Sequence, residues 1–256
     1  MTPAMHHSLN IEKLADISYR GVRRAAVFLG LGVNAARNTD YDQYDLSHLS
    51  LIQIVPPNLP NEQVNEFKGH FEDWIVRNAL RETVESFDLF LEKLHHSCLL
   101  IGTSKGCIEA DQANRWGKKL HSGGVDENLE LLRERFGVTT GKEAYFQAIK
   151  QARNCVTHRR SIVGVKDADD NGELHLKWWR VRMFIKLDSG KEIEMAPPLP
   201  EGGIKLEEAG KVCIQFSDSE RTFKIGDPVI FKPEDILEIC ELTKLATSQL
   251  LKSFLV

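Results

Sequence analysis

Residues Glu143–Arg160 read EAYFQAIKQARNCVTHRR. The stretch carries a helical pattern. With Ala152 at zero on a wheel of about 100° per residue, Tyr145, Ala148, Ile149, Cys155 and Val156 fall within roughly 60° of it. That arc predicts the buried stripe. Arg153 lies about 100° to one side and His158 about 120° to the other. Asn154 and His158 share a face at i,i+4 spacing. One copy of the helix therefore does not focus Arg153 and His158 on one small atom, whereas a twofold pair would put two Arg and two His in one cleft.

Upstream, the 3.6-residue period predicts a helical bundle. Asn10 to Leu31 reads as a first helix, capped by Asn10 and ended by Gly30 and Gly32. Residues Asn34–Pro60 read as a connection with a short apolar element at Leu49–Val55 and a proline-rich exit. Asn61, taken as an N-cap, opens a very long helix to Ile101, with Gly69 as a place to bend. Its later part places Val84, Phe87, Leu91, Leu94, Cys98 and Ile101 three and four residues apart, as a packed seam does. A helix of roughly 60 Å overhangs a small bundle, and a second copy is one candidate to pack along it. Ile108–Leu120 and Asp126–Phe136 follow as shorter helices, the second capped by Asp126 and closed by Gly137.

Downstream the period changes to two. Leu174–Leu187 predicts a strand, with Leu176, Trp178, Arg180, Arg182, Phe184 and Lys186 on one face. Asp188-Ser189-Gly190 predicts a hairpin into Glu192–Met195. Lys211–Phe216 and Arg221–Ile225 predict a second hairpin across Asp218-Ser219. Pro233 begins a last helix whose apolar stripe must return to the bundle. The expected fold class is mainly α: residues 1–168 plus 233–256 as the bundle, and 169–232 as a small antiparallel β insertion before the C-terminal helix.

Bulk properties exclude several classes. A net charge of −4 argues against a generic electrostatic nucleic-acid binder, though not against a local basic site. Five scattered cysteines without CxxC spacing argue against a disulfide framework or a zinc site, and fit a reducing cytoplasm. MTPAMHHSLN lacks a signal-peptide pattern, and the pair His6-His7 is read as terminal surface rather than metal ligands. No apolar run is long enough for a membrane helix. No metal, cofactor or membrane association is expected.

The run Arg153-Asn154-Cys155-Val156-Thr157-His158 near a helix end, with Gly164 following, resembles the motif of the HEPN superfamily. The order of a long helix, short helices, motif helix and final helix is also similar. The likeness spans Asn61–Gly164 and the last helix; the β insertion lies outside it. It implies a metal-independent endoribonuclease working as a homodimer on RNA, with Arg153, Asn154 and His158 catalytic. A toxin or defence role and a regulatory protein partner follow from the family alone. The chemistry suits the residue types. Histidine takes and gives protons near neutral pH, and arginine offers a permanently charged fork of donors to phosphate oxygens.

Arg159, Arg160, Trp179 and Arg180 are the expected RNA-binding residues, since basic and aromatic groups clamp and stack single strands. Arg77-Asn78 stands as a further donor pair, and Glu82, Glu85 and Asp88 as carboxylates near His158. A second reading stays open. The cations at the helix end complement its dipole, and the domain is then a non-catalytic dimerisation or interaction module.

Overall fold

The computed structural model describes residues 9–40, 44, 48–50, 54–56, 58–120 and 124–255. His6 and His7, and residues 51–53 of the expected short element, lie outside them. The described chain is mainly helical, with one three-stranded antiparallel sheet inserted before the final helix.

Helix α1 spans Ile11–Arg37, capped by the Asn10 side chain, which accepts from the Lys13 N–H at 2.8 Å. It runs six residues past the expected end at Leu31. Gly30 and Gly32 lie inside it, because Gly32 is a contact residue rather than a stop. A Cβ there would sit 2.5 Å from Ile75, and one at Gly21 would sit 1.9 Å from Ser86. The missing side chains let α1 press directly against α2, Asn61–Ser104. Arg24 with Glu82, and Arg37 with Glu72, clip the same seam at its edge.

Pro60, not Asn61, occupies the N-cap of α2, and no side chain caps it there. The helix is continuous through Gly69 over about 66 Å. Its predicted seam is buried from Val84 through Phe87, Leu91 and Leu94 to Cys98, with Ile101 half-buried, and Leu80 and Phe90 join it at the centre of the core. Against it pack α1, the short α3 (Ala110–Leu120), α4 (Val125–Phe136), α5 (Glu143–His158) and α6 (Pro233–Leu255). Helix α4 is capped by Gly124 rather than Asp126, whose carboxylate instead takes Lys150 of α5. Gly137 closes α4 in the left-handed conformation, as expected of a glycine C-cap. The final helix returns to the bundle. Its Thr247 hydroxyl meets that of Ser18 on α1 inside the core, at 2.8 Å.

Strand β1 (Glu173–Leu187) turns through Asp188–Gly190 into β2 (Glu192–Glu194), as the turn signal predicts. The expected hairpin across Asp218-Ser219 does not form. Residues Gly210–Lys224 make one strand, β3, paired with β1 from end to end in the order β2-β1-β3. The turn residues are overruled by their partners: Asp218 accepts from Tyr145 of α5 at 2.6 Å and pairs with Lys177 of β1 at 2.8 Å. The near half of the sheet is held between α5 and α6. Leu174, Leu176 and Trp178 enter the core, and the Trp178 indole donates to Glu238 at 2.6 Å.

Candidate functional site

Helix α5 is seated at its start by Glu143, which accepts from the Thr140 N–H at 3.0 Å and the Thr139 hydroxyl at 2.6 Å. Ile149, Ala152 and Cys155 are buried as the wheel predicts, and Tyr145, Ala148 and Val156 are half-buried. Phe146, outside the predicted arc, is also buried, stacked on Phe87 with ring centroids 4.5 Å apart. Burial pushes the Cys155 thiol up, away from thiolate chemistry.

The helix ends one residue after Thr157. Arg159 and Ser161 both donate their N–H to the Cys155 carbonyl, at 3.0 and 3.2 Å. Arg160 and Ser161 adopt positive φ of 52° and 66°, which turns the chain sharply. The turn is fixed from two sides. The Val229 N–H donates to the Ser161 carbonyl at 2.7 Å, and Arg159 pairs with the buried Asp167. Asp167 also accepts the Gly164 N–H at 2.9 Å. Gly164 thus belongs to the turn that fixes the end of the motif helix.

Arg153 points at α2. Its Nη2 lies 2.8 Å from Glu85 Oε1, and its Nη1 donates to Asn154 Oδ1 at 3.1 Å. Glu85 also accepts from Arg81 Nε at 2.9 Å. The Arg153 Nε is buried without a hydrogen-bond partner among the described residues. The Arg153 and Glu85 side chains remain 24% and 40% exposed, so an anion from solvent can compete for the guanidinium. His158 is exposed at the last turn, and its ring has no hydrogen bond or ion pair among the described residues. Five positions apart, the two residues leave α5 about 140° from one another, so one chain does not converge them.

Of the acidic residues expected near His158, Glu85 meets Arg153 instead. Glu82 takes Arg24, and Asp88 accepts from Asn128 at 2.7 Å, with its carboxyl pushed up by burial. Arg77 faces the end of α5, its Nη1 3.4 Å from Ser161 Oγ, whereas Asn78 donates to the Trp74 carbonyl.

The expected RNA-binding residues are dispersed. Arg160 is exposed at the turn. Arg159 is tied to Asp167. Trp179 belongs with the opposite end of α5, and Arg180 lies on the other face of β1 beside Lys232 and Glu238. The Trp179 ring is 7% exposed, stacked on Phe216 at 4.1 Å and covered by Lys142 at 5.4 Å. Arg180 is half-buried, 4.0 Å from Glu194. A base could stack on Trp179 only if Phe216 or Lys142 moved aside.

The feature missed in the sequence is a groove of about 550 Å³ between α1 and α2, lined by Phe28, Leu31, Phe71, Trp74, Arg81 and Glu85. Its signal was the run of large apolar residues on α2 before the seam begins. The groove ends on the carboxylate that holds Arg153. Among the described residues no three His, Cys, Asp or Glu side chains are placed to hold a metal ion, and no helix is long and apolar enough to cross a membrane.

Comparison with family models, with curated proteins and with solved structures finds no match to the chain. The HEPN resemblance therefore rests on the motif residues and the helix order.

Proposed function

We propose that the chain is a HEPN-like, metal-independent endoribonuclease acting as a homodimer. In this reading His158 takes the proton of a ribose 2′-OH, and O2′ attacks the adjacent phosphorus. The P–O5′ bond breaks, and the leaving 5′-oxygen takes a proton from a protonated imidazole. The products are a 2′,3′-cyclic phosphate and a 5′-hydroxyl. Arg153 exchanges Glu85 for the phosphate oxygens, and Asn154 steadies its guanidinium.

The observation that carries the reading is His158 itself, an exposed and unengaged imidazole one turn beyond a half-buried Arg-Asn pair. The divergence of Arg153 and His158 on one helix favours a second copy.

The test is cleavage of a mixed RNA substrate in EDTA-containing buffer by wild type, His158→Ala and Arg153→Ala. Cutting by wild type alone, leaving cyclic phosphate ends, is the expected result. Equal cutting by all three rejects the assignment. A second reading, a non-catalytic interaction module, is favoured by one observation: Arg153 already has a carboxylate partner in its own chain. Absence of cutting by any of the three moves that reading ahead.

A further inference from the structure

Strand β3 is paired on one side only. Its fifteen residues match β1 without a break in register, and among the described residues β1 is the only element that lies alongside it at length. The outer edge therefore presents a row of unpaired backbone N–H and C=O groups. Natural edge strands are usually blunted by proline, a bulge, a charge or a covering element. Between Lys211 and Asp218 this edge has no proline, no bulge and no charged side chain.

Its centre is also apolar and open. Val212, Ile214 and Phe216 alternate, so they share one face, and they are 62%, 60% and 55% exposed. Directly opposite on β1 stand Ile185, Met183 and Val181. The edge thus selects an extended, apolar, uncharged strand.

We infer that the occupant is β3 of a second copy, paired antiparallel about Ile214, giving a continuous six-stranded sheet across two chains. The sequence is self-complementary in that register. Val212 then faces Phe216, Ile214 faces Ile214, and Gly210 faces Asp218. On the other face Lys211 meets Ser217, and Cys213 meets Gln215. Within Gly210–Asp218 no like charges oppose one another, and apolar pairs align, which stabilises a sheet. Sliding the axis to Phe216 sets Ile214 against Asp218 and Val212 against Glu220. Sliding it to Val212 sets Phe216 against Glu208. Both slips put a carboxylate opposite an apolar side chain. This pairing is independent of the ribonuclease reading, since it lies beyond the Lys142 end of α5, away from His158.

The test reads the register directly. Paired strands bring opposite Cα atoms to about 4.5–5.5 Å, within reach of a disulfide. In a background with Cys107→Ser and Cys213→Ser, Ile214→Cys treated with diamide should give a covalent dimer on a non-reducing gel. Thr222→Cys, far along the same strand, should not. Separately, Ile214→Lys should halve the sedimentation mass while leaving the far-ultraviolet circular dichroism unchanged. A missing cross-link at position 214, or a wild-type mass that is already that of one chain, overturns the inference. So does a mass that Trp74→Glu halves and Ile214→Lys leaves intact, which places the copies on the helical groove.

Discussion

Arg153 and Glu85 join the motif helix to the long helix, guanidinium Nη2 to carboxylate Oε1 at 2.8 Å. The pair is half-exposed, so its own contribution to stability is about 1 kcal/mol or less. Its larger effect is on what else Arg153 can hold. In Glu85→Gln the guanidinium loses its competing anion, and the site loses one negative charge. We expect single-stranded RNA to bind about fivefold tighter, corresponding to about 1 kcal/mol for one surface charge. Fluorescence anisotropy with a labelled oligonucleotide measures this. Unchanged or weaker binding would mean that Glu85 supports Arg153 rather than competing for it.

Arg159 and Arg160 are adjacent but should behave differently. Asp167 is buried and has Arg159 as its cationic partner. Arg159→Ala leaves that charge unpaired and should cost about 3 kcal/mol in urea unfolding. Arg160→Ala, at an exposed position, should leave stability within about 0.5 kcal/mol. Equal effects would contradict the structural role of the Arg159–Asp167 pair.

The two classes of glycine in α1 give a second contrast. Gly30 has open space where a Cβ would go, so Gly30→Ala should stabilise by roughly 0.5–1 kcal/mol through helix propensity. Gly21→Ala drives a methyl into Ser86 and should destabilise by about 1–3 kcal/mol. Melting temperatures shifted in opposite directions are the expected readout.

His95 sets a pH dependence. It is fully buried, its Nε2 accepts from Arg135 at 3.1 Å, and burial holds its pKa down to about 4. Unfolded, the ring titrates near 6.5. Between these values the unfolded chain binds a proton that the folded chain refuses, so stability falls as pH drops from about 6.5 to about 4. The loss attributable to this ring is roughly 3 kcal/mol at most. Urea unfolding of wild type and His95→Gln across that window should show a shallower slope for the variant.

Much of the architecture was legible because its signals are local. The three- and four-residue spacing from Val84 to Cys98 specifies which face of α2 is buried. The Asp188-Ser189-Gly190 turn is read from three consecutive residues, and the α5 stripe from one helical period. Local rules failed where a distant residue outweighed them. Gly32 reads as a stop, yet Ile75 of α2 fills the space its side chain would need. Asp218-Ser219 reads as a turn, yet Lys177 and Tyr145 hold Asp218 in a strand.

The candidate site divides along the same line. The sequence alone determined that Arg153, Asn154 and His158 occupy the end of one helix, and that Arg153 and His158 leave it in different directions, because helical geometry fixes both. The tertiary structure decided that Glu85 holds Arg153, that Trp179 lies under Phe216 and Lys142, and that β3 keeps an open apolar edge. Those outcomes depend on contacts between residues far apart in the chain, and no periodicity within a single segment encodes them.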